Sequence, residues 1–197
     1  MTPDAVIQWL PFSHAPGAAR DELRARGREA SRAAFRAAAA AWRHAHGEAP
    51  WLEAAIAHDV NGAPLVAGHA GAPGISIAHA RGLAGCAIAA PGARCPGIDC
   101  EPLDAPAAAA LRELSVQTGE AALPWSDEAW PLRLWCAKES VVKAERVGAD
   151  ALGRTLRVGH VSAEHGGVQL VTVRSHRDRV FTVATAVVGA HVRAWTA

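Results

Sequence analysis

Two short segments of the 197-residue chain hold residue types that could handle a charged phosphate ester. The first is Gly97-Ile98-Asp99-Cys100-Glu101. If it is extended, the two-residue side-chain period sends the Asp99 and Glu101 carboxylates to the same face. Two anions that close repel one another unless a cation lies between them. A hard ion such as Mg²⁺ prefers such oxygen ligands, with water or phosphate oxygens completing its shell. Taken alone, an Asp-x-Glu pair is also what the wet face of an ordinary strand displays. The second segment is Trp135-Cys136-Ala137-Lys138-Glu139-Ser140-Val141-Val142-Lys143. On a helix, Trp135, Glu139 and Lys143 recur at four-residue steps and form one stripe. A plain reading exists here too: a core tryptophan beside an i,i+4 ion pair. Against it stands the placement of two charges beside a large aromatic, where partial burial is costly without partners. A metal ion and a phosphate would be such partners.

In this order, with Trp135 standing 34 residues after Glu101, the segments resemble the paired motifs GxDxE and WxxKExxxK of the 4′-phosphopantetheinyl transferases. The Sfp-type branch is the nearer match, since the chain is long enough for two fused halves and the smaller type is a trimer. The resemblance implies an α+β fold of two similar α/β halves in pseudo-twofold arrangement, with the active site in the cleft between them and a monomer sufficing. It implies transfer of the phosphopantetheine group of coenzyme A to a serine of an apo acyl- or peptidyl-carrier protein, releasing adenosine 3′,5′-bisphosphate. Asp99, Glu101 and Glu139 would hold Mg²⁺ with the coenzyme pyrophosphate. Lys143 would neutralise charge on the attacked phosphate, and Lys138 would lie near the coenzyme phosphates. Glu139, or a metal-bound water, would accept the serine proton. The chemistry is consistent with the residue types, because phosphoryl-type transfer needs mostly positioning and charge neutralisation.

Upstream, Ile75-Ser76-Ile77-Ala78-His79 resembles the family's FNxSH segment, which implies a contact from His79 to the 3′-phosphate of coenzyme A. Ala78 stands where that segment has serine. By its own residues His79 reads as a core or edge histidine. Asn61-Gly62-Ala63-Pro64 resembles the GKP segment, but Ala63 replaces the lysine, so another cation is expected to substitute. Candidates lie in Arg20, Arg24, Arg28, Arg32 and Arg36, which recur every four residues. A four-residue stripe drifts around a helix, so only two or three neighbours share a face. Arg28 and Arg32 are the pair expected to meet the 3′-phosphate. The same arginines also fit a solvated face, or one that steers an acidic carrier protein.

These residues require elements to position them. Ala5 to Phe12 reads as an opening strand, and Arg20 to His46, rich in Ala and Arg, reads as a helix that Gly27 breaks or kinks. Asn61 to Gly74 reads as loop or hairpin. Ile75–His79 and Leu83–Ala90 read as paired strands around Arg81-Gly82. Pro91 to Pro96 divides the chain into an N-terminal half, residues 1–96, for the nucleotide, and a C-terminal half, 97–197, for the metal site and catalytic helix. Gly97–Glu101 is read as a strand, Pro106–Gln117 as a helix, and Leu132–Arg146 as a helix capped at Ser126. Thr155–Val161, Val168–Arg174 and Val180–Val188 are β-branched runs suited to an antiparallel meander. Most of the seven tryptophans are expected in the core, with Trp125 and Trp130 as alternatives for a carrier-protein surface.

Composition narrows the alternatives. Twenty Lys+Arg against 19 Asp+Glu leave a formal charge of +1, so no global field favours nucleic acid. No apolar run approaches the ~18 residues of a membrane span, and no signal segment is apparent at Met1–Pro16, which points to a cytoplasmic protein. Cys86, Cys95, Cys100 and Cys136 match no metal or disulfide spacing and read as isolated thiols. Besides the transferase, two readings stay open. One is a non-catalytic coenzyme A or carrier-protein binding module, suggested by Ala63 and Ala78. The other is a different metal-dependent phosphotransfer or hydrolytic enzyme with no need of coenzyme A.

Overall fold

The computed structural model describes residues 5–13, 19–90, 92–103, 116–148, 156–175 and 177–196. The helix expected over Pro106–Gln117 lies outside them, apart from its last two residues. The protein is mixed α+β, and the chain divides into two compact units, Met1–Pro96 and Gly97–Ala197. Among the described residues no helix is long and apolar enough to cross a membrane.

In the first unit, β1 (Ala5–Pro11), β5 (Leu83–Ala89) and β4 (Ile75–Ala80) form an antiparallel sheet in the order β1-β5-β4. A separate hairpin pairs β2 (Ile56–His58) with β3 (Pro64–Val66). The long helix α1 (Arg20–His46) packs on all three strands of the sheet. Its buried residues, Ala30, Ala34, Phe35, Ala38, Ala39 and Trp42, follow the helical period, and its many alanines let the backbone approach β5 closely. No side chain caps its start, but Asp21 and Glu22 in the first turn and Arg43, His44 and His46 in the last complement the helix dipole. Gly27 does not break α1, contrary to expectation. The helix runs through it, and the missing side chain makes room for the His79 ring, which would stand 2.8 Å from an added Cβ.

In the second unit, five antiparallel strands run in the order β6-β10-β9-β8-β7. They are β6 (Ile98–Pro102), β7 (Arg157–Val161), β8 (Val168–Arg174), β9 (Val180–Val188) and β10 (His191–Thr196). β10 joins the first strand of the unit to the later meander, pairing Ala194 with Asp99 and Val192 with Glu101. Helix α2 (Trp130–Glu145) lies across β6, β10, β9 and β8. Its N-cap position is Ala129, and Ser126 is not its cap. Asp127 accepts the Ala129 N–H at 3.0 Å, while Ser126 donates to Glu164. Gly97 fixes how closely α2 approaches β6, because a Cβ there would overlap the Ser140 carbonyl oxygen. Since 97, 99 and 101 share a strand face, that approach sets Asp99 and Glu101 against the helix.

Candidate functional site

Helix α2 is buried almost all round, and Trp135, Glu139 and Lys143 are its least covered stripe within the central turns. Lys143 Nζ donates to Asp99 Oδ1 at 2.7 Å. Asp99 Oδ2 is buried and receives no hydrogen bond of ordinary geometry, although the buried Cys136 thiol lies against the same carboxylate. Glu101 is pushed up to about 7, by burial first, then by the Asp99 charge, with Glu139 adding to it and Lys143 and a Trp135 hydrogen bond opposing. Glu139 is likewise raised to about 7, by burial and then by Asp99, against Lys143. Burial pulls Lys143 down, but Asp99 and then Glu139 outweigh it and hold the ammonium above its usual value. The structure thus brings Asp99, Glu101, Glu139 and Lys143 into one electrostatic cluster of three acids and one base.

This cluster has the hard-oxygen donors a divalent ion prefers, and it is short of positive charge. The orphaned Asp99 oxygen and the two carboxyls lifted toward neutrality are what a nearby cation would relieve. Among the described residues, however, no group of three or more His, Cys, Asp or Glu stands in metal-holding geometry. Lys143 occupies one Asp99 oxygen instead. Thiolate chemistry does not compete here, since burial and then the Asp99 charge push Cys100 up to about 12 and raise Cys136.

Lys138 requires a correction. It is fully buried, and its Nζ donates at 2.8 Å to Glu120 Oε2 in the one-turn 3₁₀ helix Glu120–Ala122. Glu120 also accepts the Gln117 and Val158 N–H groups at 2.7 and 2.8 Å. An ammonium held this way ties α2 to the start of β7 and is not placed for a coenzyme phosphate. Trp125 and Trp130 stack with centroids 6.1 Å apart and pack partly buried on the core of this unit. The Trp125 indole N–H donates to the Glu120 carbonyl at 2.9 Å.

The first unit holds a second group. A pocket of about 240 Å³ is lined by Arg28, Ser31, Arg32, His58, Ile77 and His79, with the β2–β3 hairpin closing one side. The three residues expected to meet a nucleotide phosphate therefore share one cavity. Ser31 Oγ, which donates to the Gly27 carbonyl, stands 3.4 Å from His79 Nδ1. Ala78 is buried on the opposite face of β4, so a hydroxyl there would point away from this pocket. Ala63 sits in the hairpin turn, where its N–H and that of Asn61 both donate to Asp59 Oδ1 at 2.9 Å. His58, directly across the hairpin from Pro64, was not foreseen from the sequence. The signal was the alternating Ile56-Ala57-His58 ahead of an Asp-x-Asn-Gly turn, which marks a hairpin. Comparison with protein-family models and with curated proteins returns no match.

Proposed function

We propose that the chain is a Mg²⁺-dependent 4′-phosphopantetheinyl transferase of the two-half type, acting on coenzyme A and a carrier-protein serine. The observation that carries this reading is the cluster in which Lys143 contacts Asp99 while Glu101 and Glu139 are raised to about 7 beside it. The basic pocket of the first unit supports it as a place for the nucleotide end of coenzyme A.

Asp99, Glu101 and Glu139 are the residues that would hold the ion, which when bound would neutralise charge building on the pyrophosphate. Lys143 supplies a fixed positive charge beside those oxygens and stabilises charge on the phosphate under attack. Glu139 would take the proton from the serine hydroxyl as its oxygen bonds to phosphorus, through a carboxylate oxygen not engaged by the ion. The pyrophosphate bond then breaks, and adenosine 3′,5′-bisphosphate leaves. Arg28, Arg32 and His79 hold the leaving nucleotide.

The test is incubation with apo carrier proteins, coenzyme A and Mg²⁺, followed by intact-protein mass spectrometry. A carrier mass gain equal to one phosphopantetheine, abolished by EDTA, supports the proposal. No gain with acyl- and peptidyl-carrier proteins alike sinks it. The Lys143–Asp99 contact favours one second reading, a coenzyme A or carrier-protein binding module that has lost turnover. Calorimetry showing binding without any transfer would select it.

A further inference from the structure

The pocket of the first unit is built to bind an anion by an arrangement that goes beyond the residues foreseen for it. Its basic side chains come from three elements: Arg28 and Arg32 from α1, His58 from β2 and His79 from β4. Among the described residues, none that lines it is acidic. Asp59, next to His58, turns Oδ1 to the Asn61 and Ala63 N–H groups of its own turn. Glu29 lines a separate hollow with Arg26 and Phe12. The remaining walls, Ile56, Pro64 and Ile77, are apolar. At about 240 Å³ the pocket has room for more than a bare ion.

We propose that His58 is a phosphate-binding residue and that, with Arg28, Arg32 and His79, it makes this pocket selective for a terminal phosphomonoester. A monoester presents three unsubstituted oxygens, and donors arriving from a helix and two separate strands can meet one each. A diester offers only two, so one donor would stay unpaired in its complex. Guanidinium forks suit phosphate oxygens bidentately, and an imidazole adds a directed N–H. The β2–β3 hairpin positions His58: its register sets His58 opposite Pro64, and the Asp59 turn fixes the loop beyond it. The donor that Ala63 does not supply thus comes from the facing strand of the same hairpin.

The identity of the ligand rests on the function proposed above, since coenzyme A carries such a monoester at its 3′ position. The experiment uses the whole chain in EDTA, so that binding reports this pocket alone. Calorimetry would compare coenzyme A with 3′-dephospho-coenzyme A, for the wild type, His58→Ala and His58→Lys. The wild type should prefer coenzyme A by tenfold or more. His58→Ala should narrow that preference by about tenfold, the effect of one charged hydrogen bond, with the dephospho form bound as before. His58→Lys should restore it. An unchanged preference in His58→Ala overturns the proposal while leaving the transferase reading intact. If neither coenzyme form binds in EDTA or in Mg²⁺, the transferase reading falls, and inorganic phosphate decides the pocket by itself. It must then shift the His58 ring resonances in NMR and bind more weakly to His58→Ala; a His58 ring that does not respond overturns the proposal.

Discussion

Two lysines lie five residues apart on α2, and each is hydrogen bonded to a carboxylate, yet they occupy opposite kinds of environment. Lys138 and Glu120 are 0% and 3% exposed, and both Glu120 oxygens are fully engaged by an ammonium and two backbone N–H groups. Lys143 and Asp99 are 29% and 8% exposed, one Asp99 oxygen has no hydrogen bond, and two more acids crowd the pair. The first pair has its electrostatics closed within the protein. The second carries an excess of negative charge whenever Glu101 and Glu139 are ionised. Buried polar groups are ordinarily satisfied, so a dissatisfied cluster at an accessible position marks function, whereas a satisfied one marks architecture.

The comparison can be broken most sharply at Glu120. In Glu120→Gln the amide nitrogen must face either the Lys138 ammonium or a backbone N–H, and a buried charge loses its counterion. That change should destabilise the protein by about 3–5 kcal/mol, read as a fall in the urea midpoint or in the melting temperature. A shift below about 1 kcal/mol would mean that the pair is not architectural. Asp99→Asn should do the reverse. It removes a like charge beside Glu101 and Glu139 while weakening the Lys143 contact, so stability should change by no more than about 1 kcal/mol. Transfer measured by carrier mass should fall more than about a hundredfold. An active Asp99→Asn protein would take Asp99 out of the site.

Acidity probes the same contrast more gently. Glu101 and Glu139 titrate near 7 in the fold against an ordinary 4.5, so the folded chain holds more protons than the unfolded chain between these values. Their contribution to stability is therefore complete below about 4.5 and is lost as pH rises through about 7. In EDTA the melting temperature should drop between about pH 5 and pH 8, and Glu139→Gln should flatten that slope. Added Mg²⁺ should recover more stability at the higher pH. A slope identical in Glu139→Gln and wild type would show that the cluster does not titrate as described.

The sequence made the second lysine legible and hid the first. Asp99, Glu101, Glu139 and Lys143 are readable because strand and helix periods are local, so spacing alone predicts which side chains share a face. Lys138 has the same type and sits in the same motif, but its partner lies 18 residues upstream in a single 3₁₀ turn that no periodicity announces. His58 was hidden for a related reason. Its three-residue strand and the turn after it mark a hairpin, but His58 gains meaning only when that hairpin brings it beside α1 and β4. The run expected over Val180–Val188 ends where β9 ends, but β10, which follows after the two-residue turn at Gly189 (φ 59°), was not among the expected strands.

Gly27 offers the smallest and most discriminating perturbation, because its expected effects on stability and on binding have opposite signs. Alanine is favoured over glycine inside a helix by about 1 kcal/mol, and Gly27 lies well within α1. The added Cβ would stand 2.8 Å from His79 Cδ2 and 3.0 Å from Nε2, so the ring must move. His79 is exposed, so its ring can swing out without opening the core. Gly27→Ala should therefore fold at least nearly as well as the wild type while losing the Ser31–His79 contact. Its affinity for coenzyme A should fall several-fold, and that for 3′-dephospho-coenzyme A should stay close to the wild-type value. Equal losses for both ligands would mean that the ring lines the pocket without contacting the phosphate. Unchanged binding of both would mean that glycine is present at this position for helix packing alone, and the site would then rest on Arg28, Arg32 and His58.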